Sequence, residues 1–316
     1  MGSIAPPTPV GPAPVGVVPT RIILPFIIVT LSGGSTWTAI RYQIDAGVDM
    51  FWAMSLRALI GAIAMICWSL LIRAPLRLPP RGVAYAAIIG LLQFFLCFLF
   101  IYEAERHVTS GVVAMFFALL IVPNAILARI FLKMPMSREF LIGSAVAIVG
   151  MAMLFASEIA AVAHGNAEAA IIGITLTLVG LLFSSAANVA QASRYAKSLP
   201  PIAVLVWSMV IASIAAMILG YGRSGMLPPT ALSPAFVLST VYLGLFGSAL
   251  TFPLYFFLIR QIGPARAAYS GVTVPIVAMI LSTILEGYRW SLPAIAGSAL
   301  ALIGLVIALR AAKPAR

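Results

Sequence analysis

The sequence is poor in charge, and poorest in acidic residues. Of its 316 residues only 9% are charged, Asp and Glu together number eight, and 62% are hydrophobic. A soluble domain carries roughly 25% charged residues, so this composition excludes an ordinary water-soluble protein. Because lipid offers the backbone no hydrogen-bond partners, the unbroken apolar runs of about 20 residues predict membrane-spanning α-helices.

The residue types that form catalytic and metal sites are also scarce. The two histidines, His107 and His164, lie between apolar runs, whereas the two cysteines, Cys67 and Cys97, lie within them and are expected to pack as small hydrophobic side chains. The sequence has no Gly-x-Ser-x-Gly segment, no glycine-rich phosphate loop and no group of potential ligands with metal-site spacing. We therefore expect a protein that is not an enzyme and uses no metal or other cofactor.

The formal charge of +11 comes from 19 Lys and Arg residues. These residues occur singly or in twos and threes between apolar runs, unlike the continuous basic patch of a nucleic-acid-binding protein. The sequence thus predicts no nucleic-acid partner, and the basic residues are interpreted as signals of membrane topology.

Apolar runs bounded by charged residues, Gly and Pro divide the chain into ten predicted membrane spans. The spans are 22–43, 50–72, 82–102, 108–132, 139–157, 170–193, 201–221, 234–259, 265–285 and 291–310. Residues 1–20 precede them, are rich in Pro and Gly, and lack the basic start and the cleavage site of a signal peptide. They are predicted to form a disordered cytoplasmic arm that the mature protein keeps.

The positions of the charged residues support an alternating orientation of these spans. If the N-terminus is cytoplasmic, 14 of the 19 basic residues fall on the cytoplasmic side and seven of the eight acidic residues fall on the external side. Lys and Arg accumulate on the cytoplasmic links of membrane proteins. We therefore predict that both termini are cytoplasmic.

The two halves of the chain share a sequence pattern. The segment Gly-Ser-Ala-x-Ala-x-x-Gly occurs at 143–150 and at 297–304, and each copy follows a Val-Pro pair. Since each half contains five predicted spans, an odd number, similar halves must lie in the membrane with opposite orientations, as in many secondary transporters. The predicted fold is an all-α integral membrane protein of ten transmembrane helices, with two inverted five-helix repeats around a central cavity. The predicted boundaries are 21–157 for the first repeat, 158–169 for an external linker and 170–312 for the second repeat.

Uncharged polar and aromatic side chains are concentrated in the first, third, sixth, eighth and ninth spans. Such side chains line the substrate path of a transporter near the middle of the membrane, although small hydroxyl residues also hold helices together. Pro123 and Pro275 occupy equivalent positions in the two halves, and they are interpreted as paired kinks beside the path or as kinks that only shape the packing. The predicted substrate-binding residues are Trp37, Thr38, Gln93, Tyr102, Asn188, Ser248, Thr251, Ser270 and Thr273.

No Asp or Glu lies near the middle of a predicted span. Intramembrane carboxylates are the usual proton and sodium sites of coupled carriers, so the sequence favours a facilitator that runs down a substrate gradient. Coupling through residues at the ends of spans, such as Glu103, Glu105 and Glu286, is the alternative. We expect these three glutamates to form a solvated external rim.

Arg57 is the one charge predicted deep within a span. We expect it to have a structural role, in which it snorkels outward to pair with acidic residues such as Asp45 or Asp49. The alternative is that Arg57 receives a carboxylate of the substrate.

A path lined by aromatic rings, hydroxyls and amides suits a zwitterionic or neutral small molecule with an apolar side chain. Amino acids, and the neutral and aromatic ones in particular, are therefore the expected substrates, with nucleosides, purines and other small metabolites or drugs as the alternative. All three lysines lie at cytoplasmic ends of spans, which disfavours phosphorylated substrates. A membrane scaffold or sensor that transports nothing would not need similar halves of opposite orientation.

These features resemble the EamA-type branch of the drug/metabolite transporter superfamily. The resemblance covers roughly residues 22–310 and rests on the Trp-Thr-Ala segment at 37–39, the Ser-Leu-Arg-Ala segment at 55–58 and the paired Pro and Gly-Ser-Ala segments. It implies two inverted five-helix repeats in the bacterial inner membrane and, within the branch, a similarity to bacterial aromatic amino-acid exporters. Because one chain contains both halves, a monomer would suffice for transport.

Overall fold

The computed structural model describes residues 20–133, 136–162, 167–251, 253–255 and 270–311, and all regular secondary structure in these ranges is helical. Most of the predicted cytoplasmic arm and the middle of the predicted external linker lie outside the described residues. So do four basic residues on which the topology prediction drew, Arg260, Arg266, Lys313 and Arg316.

Ten main helices occupy the described ranges. The first five are α1 (Thr20–Asp45), α2 (Met50–Leu71), α3 (Pro80–Ala104), α4 (Ser110–Leu132) and α5 (Arg138–Val162). The next five are α6 (Ala167–Gln191), α7 (Pro201–Ser224), α8 (Pro234–Tyr255), α9 (Ser270–Leu285) and α10 (Leu292–Ala311). Eight of them, α1 to α8, are long and apolar enough to cross a membrane, whereas α9 and α10 contain shorter apolar stretches, Thr273–Leu285 and Leu292–Ala308.

Local sequence signals account for several helix starts. Pro80, Pro201 and Pro234 stand at the first positions of α3, α7 and α8, where the fixed φ of proline suits a helix and its missing N–H leaves no bond unmade. At the start of α2, the Asp49 carboxylate accepts a hydrogen bond of 2.9 Å from the backbone N–H of Phe51. The helices therefore begin where capping residues interrupt the apolar runs.

Short links between successive helices give the bundle two faces. The end at which α1 begins is called the N-terminal face, and the end at which α1 finishes, at Asp45, is called the opposite face. Large apolar side chains between these faces remain exposed, and Leu71, Phe131 and Ile284 expose 78%, 71% and 71% of their surface. Water would disfavour so much apolar surface, whereas lipid tails cover it, so the chain is a multi-pass membrane protein.

The two Gly-Ser-Ala segments pack against each other. Gly143 of α5 lies against Ala308 of α10, and Gly150 lies against Ala301, so these two helices run antiparallel. A Cβ atom on either glycine would lie 2.3 Å from the backbone nitrogen of the alanine that it faces. Small residues thus bring the two backbones into direct contact, which is how membrane helices gain van der Waals stabilisation in lipid.

Helices α2 and α7 also pack antiparallel, and two serines join them. Ser55 Oγ donates to the backbone carbonyl of Ser213 at 3.0 Å, and Ser213 Oγ donates to the carbonyl of Ser55 at 2.9 Å. Nearer the opposite face, Gly220 of α7 lies against Trp52 of α2. The reciprocal bonds satisfy two buried hydroxyl groups in an apolar environment.

Helices α3 and α8 each contain a π-helical segment that was not predicted, Gly90–Leu96 and Leu243–Leu250. Gly90 lies against the backbone of α7, and Gly244 lies against α2. The two segments therefore occupy corresponding positions in the two halves of the chain. A π segment shifts the direction of the side chains that follow it, and such segments are frequent at functional sites.

The buried apolar side chains form two large clusters, and each cluster draws on both halves of the chain. The first lies mainly among α1, α2, α3, α7 and α8 and includes Met54 and Met209. The second lies mainly among α4, α5, α6, α9 and α10 and includes Met151 and Leu305. The two predicted halves are therefore interlocked, because neither half encloses a core of its own.

Candidate functional site

A cavity of about 530 Å³ lies among α1, α3, α4, α6, α8, α9 and α10, and it is called the central cavity. Its polar and aromatic lining consists of Trp37, Gln93, Phe117, Asn124, Ser184, Asn188, Tyr255 and Ser270. No acidic or basic side chain is among its lining residues in the described ranges. The volume falls in the range of small-molecule sites, about 300–1,000 Å³.

Contacts between helices order this lining. Ser184 Oγ donates to Gln93 Oε1 at 3.1 Å and so joins α6 to α3. The rings of Trp37 and Phe117 have centroids 5.2 Å apart and are tilted by 58°, which is a favourable aromatic arrangement between α1 and α4. Asn124 has a buried Oδ1 that accepts no hydrogen bond within the described part of the chain. Because buried amide oxygens normally have a partner, Asn124 offers an acceptor to a bound molecule.

The structure brings four of the nine predicted substrate-binding residues to the central cavity, namely Trp37, Gln93, Asn188 and Ser270. Thr38 instead lines a second cavity, described below. Outside the lining of the central cavity, within the described residues, lie Tyr102, Ser248, Thr251 and Thr273.

Most of the hydroxyl groups that lie elsewhere have partners of their own, but the Thr38 hydroxyl has none within the described residues. Ser248 Oγ donates to the Leu243 carbonyl at 3.2 Å, and Thr251 Oγ1 donates to the Phe246 carbonyl at 2.6 Å. Each acceptor lies five residues earlier, within the π segment of α8. A polar side chain in an apolar helix needs a hydrogen-bond partner, but that partner need not be a substrate. Here the backbone of the same helix accepts the bond.

Four of the polar and aromatic lining side chains were not among the predicted residues. Asn124 carried a usable signal, since it is an amide within an otherwise apolar helix and directly follows the kink residue Pro123. Ser184 and Tyr255 lie in the sixth and eighth spans, which were predicted to be rich in polar side chains. The nearby sequence does not show whether these two side chains point towards the cavity. Phe117 gave no signal, because a single Phe in an apolar run does not differ from its lipid-facing neighbours.

The two predicted kink prolines lie close to the central cavity. Pro275 is buried in α9 and lines it, and in α4 the lining residues Ile121 and Asn124 flank Pro123. A 3-10 turn at Ala118–Leu120 precedes Pro123. Irregular backbone at membrane depth is tolerated beside a cavity. Both prolines lie at such a place, as expected of residues that kink helices beside a substrate path.

A second cavity, of about 540 Å³, lies at the opposite face. Thr38 lines this second cavity and the adjacent Trp37 lines the central cavity, so α1 lies between the two. The second cavity is charged, and its lining includes Arg41, Asp45, Arg106, His107 and Glu286.

Arg57 is buried in α2, with 3% of its surface exposed. Its Nη1 donates to Tyr102 Oη at 3.3 Å, and its guanidinium lies 4.1 Å from the centre of the Phe98 ring. Tyr102 Oη in turn donates to Gln43 Oε1 at 2.5 Å. A cation over an aromatic face is favourable where water is excluded, so ring and hydroxyl groups hold this charge.

The expected pairing of Arg57 with Asp45 or Asp49 is wrong. Asp45 pairs with Arg41 at 3.1 Å, and Asp49 lies 3.6 Å from Arg223 while capping α2. Each acid therefore already has a cation beside it, four residues earlier in the chain for Asp45 and on α7 for Asp49. The Arg57 side chain stays buried and does not extend to the surface.

Glu105 follows the last residue of α3 and is completely buried, so the expectation that it lies on a solvated rim is wrong. Neither carboxyl oxygen has a hydrogen-bond partner among the described residues. Burial, and to a lesser degree the neighbouring Glu286 carboxylate, raise the pKa of Glu105 well above its usual value.

Glu286 lies directly after α9 and caps the start of α4. Its Oε2 accepts a hydrogen bond of 2.9 Å from the backbone N–H of Ser110, and its Oε1 accepts one from the Ser110 hydroxyl. A carboxylate at a helix N-terminus satisfies free N–H groups and interacts favourably with the helix dipole. This glutamate is therefore a structural link between α9 and α4.

A helical membrane protein with an uncharged internal cavity and a separate charged cavity at one face has the architecture of a small-molecule transporter. The chain matches the EamA-like transporter family twice, over residues 20–156 and 171–310. It belongs to that family, and it is a membrane transporter of the drug/metabolite transporter superfamily.

Individual relatives agree with this assignment. The chain is 30% identical to the uncharacterized inner membrane transporter YedA of Escherichia coli over 259 residues, covering 80% of this chain and 79% of YedA. It is 25% identical to protein PagO of Salmonella typhimurium, with 90% of both chains covered. It is also 25% identical to a probable terminal-alkyne amino-acid exporter of Streptantibioticus cattleyicolor, with 91% of this chain and 93% of the exporter covered.

A solved crystal structure shares the fold. It superposes with a TM-score of 0.68 over 94% of this chain and 99% of its own, at 15% sequence identity. At that identity the likeness concerns the arrangement of helices and says nothing about the substrate.

Proposed function

We propose that this transporter exports amino acids by alternating access, prefers neutral or aromatic ones and acts as a facilitator. The central cavity carries the proposal, because its rings, amides and hydroxyls can bind the apolar and polar parts of an amino acid without a buried net charge. The relative from Streptantibioticus cattleyicolor, a probable terminal-alkyne amino-acid exporter, supports the substrate class.

Alternating access needs two arrangements of one helical bundle, and inverted repeats provide them. We propose that residues 21–157 and 170–312 form such repeats, with all ten helices spanning the bacterial inner membrane. Equivalent helices of the two halves, α5 with α10 and α2 with α7, pack antiparallel. This packing is what a twofold axis in the membrane plane would generate, and it supports the proposal.

The same proposal places both termini in the cytoplasm and takes a monomer as the functional unit. The central cavity is lined near the N-terminal face by Asn124, Asn188 and Ser270, and it would then face the cytoplasm. Labelling a single cysteine at Gly47 of a cysteine-free protein with an impermeant thiol reagent in intact cells tests this orientation. Labelling of Gly47→Cys from outside is expected, and protection from outside would reverse the orientation.

The decisive experiment is counterflow of labelled amino acids into proteoliposomes that contain the purified protein. Uptake of phenylalanine or leucine into vesicles preloaded with the same unlabelled amino acid is expected without any ion gradient. Trp37→Ala and Asn188→Ala should each reduce it severalfold, since each removes a lining group. Trp68→Ala and Gln191→Ala are matched controls outside the described lining and should transport normally.

Nucleosides, purines and other small neutral molecules are the second candidate class. Trp37 and Phe117 could stack on a base as readily as on an aromatic amino acid. Excess unlabelled compounds in the counterflow assay separate the classes. Inhibition by nucleosides together with no uptake of any amino acid would replace the proposed substrate class.

A further inference from the structure

The carboxyl group of Glu105 is the one buried acid whose oxygens both lack a hydrogen-bond partner within the described residues. It stands at the opposite face, directly after α3. Its chain neighbours Arg106 and His107 line the second cavity. Burying an ionised carboxylate without hydrogen bonds is very unfavourable, so such a group takes up a proton instead.

The charged groups around Glu105 do not neutralise it. The charges that act on it are those of Arg41 and Asp45 in α1, Arg57 in α2 and Glu286 at the end of α9. Two of these four groups are acidic and disfavour a further negative charge beside them.

The two cations are bound to other groups. Arg41 pairs with Asp45, and its Nη1 donates at 2.7 Å to the backbone carbonyl of Glu105 and not to the carboxyl group. Arg57 donates to Tyr102 and lies over Phe98. Glu105 therefore feels both positive and negative charges, and within the described residues it forms no salt bridge.

The backbone of Glu105 is bonded to α1, the helix that lies between the two cavities. The bond from Arg41 to the Glu105 carbonyl joins α1 to α3, and the contact of Trp37 with Phe117 joins α1 to α4. A movement of α1 that separated these contacts would open a way between the cavities and would also admit water to the Glu105 side chain.

We propose that Glu105 is a proton-binding site that is occupied when the opposite face is closed, as in this structure, and that empties when this face opens. The proton exchanges with the opposite side of the membrane alone, because Glu105 does not line the central cavity in the described part of the chain. Proton binding therefore regulates opening without carrying protons across the membrane. The inference rests on the proposed transport function and remains compatible with facilitation.

The sign of the effect follows from linkage. The protonated form is favoured in the closed arrangement and the ionised form in the hydrated open one, so a lower pH stabilises closure and a higher pH favours opening. Where opening of this face limits the cycle, transport should slow as the pH falls on that side. For one proton the slope cannot exceed about tenfold per pH unit.

The first test requires no transport. Infrared spectroscopy of the purified protein resolves the carbonyl stretch of protonated carboxylic acids at neutral pH. This band should be lost in Glu105→Gln and retained in Glu103→Gln, the same substitution two residues earlier on a partly exposed side chain. A wild-type band equal to that of Glu105→Gln would overturn the proposal, because Glu105 would then be ionised.

The second test measures counterflow with the pH varied equally on both sides of the membrane. Wild type and Glu103→Gln should accelerate severalfold from acidic to mildly alkaline pH, whereas Glu105→Gln, which is permanently neutral, should remain slow and insensitive to pH. An unchanged pH profile in Glu105→Gln would overturn the inference. If no amino acid is transported but the infrared band behaves as expected, the substrate proposal fails and the proton site stands.

Discussion

Gly150 of α5 and Gly297 of α10 face each other reciprocally across the bundle. A Cβ atom on Gly150 would lie 2.6 Å from the carbonyl oxygen of Gly297, and a Cβ atom on Gly297 would lie 2.7 Å from the carbonyl oxygen of Gly150. Gly150 is the last residue of the first copy of the repeated octet, and Gly297 is the first residue of the second copy. A short pattern that occurs twice in the sequence is thus a pattern that packs against itself.

Gly150→Ala should destabilise the protein by about 1–3 kcal/mol, because overpacking at this contact forces two backbones apart. The measurement is the unfolding temperature in detergent. Gly222→Ala, in a helical position with no atom within 4 Å of the added Cβ, is the matched control. It should be neutral or slightly stabilising. Equal unfolding temperatures for the two variants would show that α5 and α10 do not pack as described.

Tyr102→Phe should destabilise the protein by about 1–3 kcal/mol, because it removes the donor to Gln43 Oε1 and the acceptor of the buried Arg57 Nη1. Thermal unfolding in detergent measures this change as well. Tyr221→Phe removes the same hydroxyl from a side chain with 63% of its surface exposed, and it should have little effect. A wild-type unfolding temperature for Tyr102→Phe would mean that the Arg57 network contributes nothing to stability.

Glu286→Ala should cost about 0.5–2 kcal/mol, since α4 loses the carboxylate that caps its first N–H groups. Hydrogen exchange at the start of α4 should accelerate together with the drop in stability. Glu103→Ala removes an exposed ion pair with Arg106, and such pairs contribute about 0–1 kcal/mol. If both variants behave alike, Glu286 has no capping role.

Asn124→Ala should raise the substrate concentration for half-maximal counterflow about tenfold, because one lost hydrogen bond of about 1.4 kcal/mol is a factor of ten in affinity. The maximal rate should change much less. Ile126→Ala, on the same helix but 45% exposed, is the control and should transport as wild type does. An unaltered concentration dependence for Asn124→Ala would remove this residue from the proposed site.

Much of the fold could be predicted from composition and spacing. Eight predicted spans are helices long and apolar enough to cross a membrane, and their observed ends lie within a few residues of the predicted ones. Membrane helices can be predicted in this way because the backbone finds no water in lipid. Its N–H and C=O groups must therefore bond to each other within a helix. The π segments in α3 and α8 were not predicted; each contains a glycine that lies against a neighbouring helix, and hydropathy and spacing do not report such contacts.

The candidate site was predicted less completely. Trp37, Gln93, Asn188 and Ser270 line the central cavity, and their role in binding substrate stays a prediction. Ser248 and Thr251 have the same polarity but bond to their own helix. Glu105, which was expected at a solvated rim, is buried, and charges of α1, α2 and the end of α9 act on it. Its sequence position at the end of a span gave no sign of these neighbours.

Hydropathy and charge along the sequence were enough to predict that the chain spans a membrane, roughly where its helices begin and end, and that few charges lie deep in the bilayer. These properties depend on the residues of one short segment at a time. Hydropathy, capping residues and charge therefore indicate them directly. Only the tertiary structure shows which face of each helix contacts a cavity, another helix or lipid, and which charges pair. Both the helix faces and the charge pairs depend on how helices that lie far apart in the sequence rotate and approach one another.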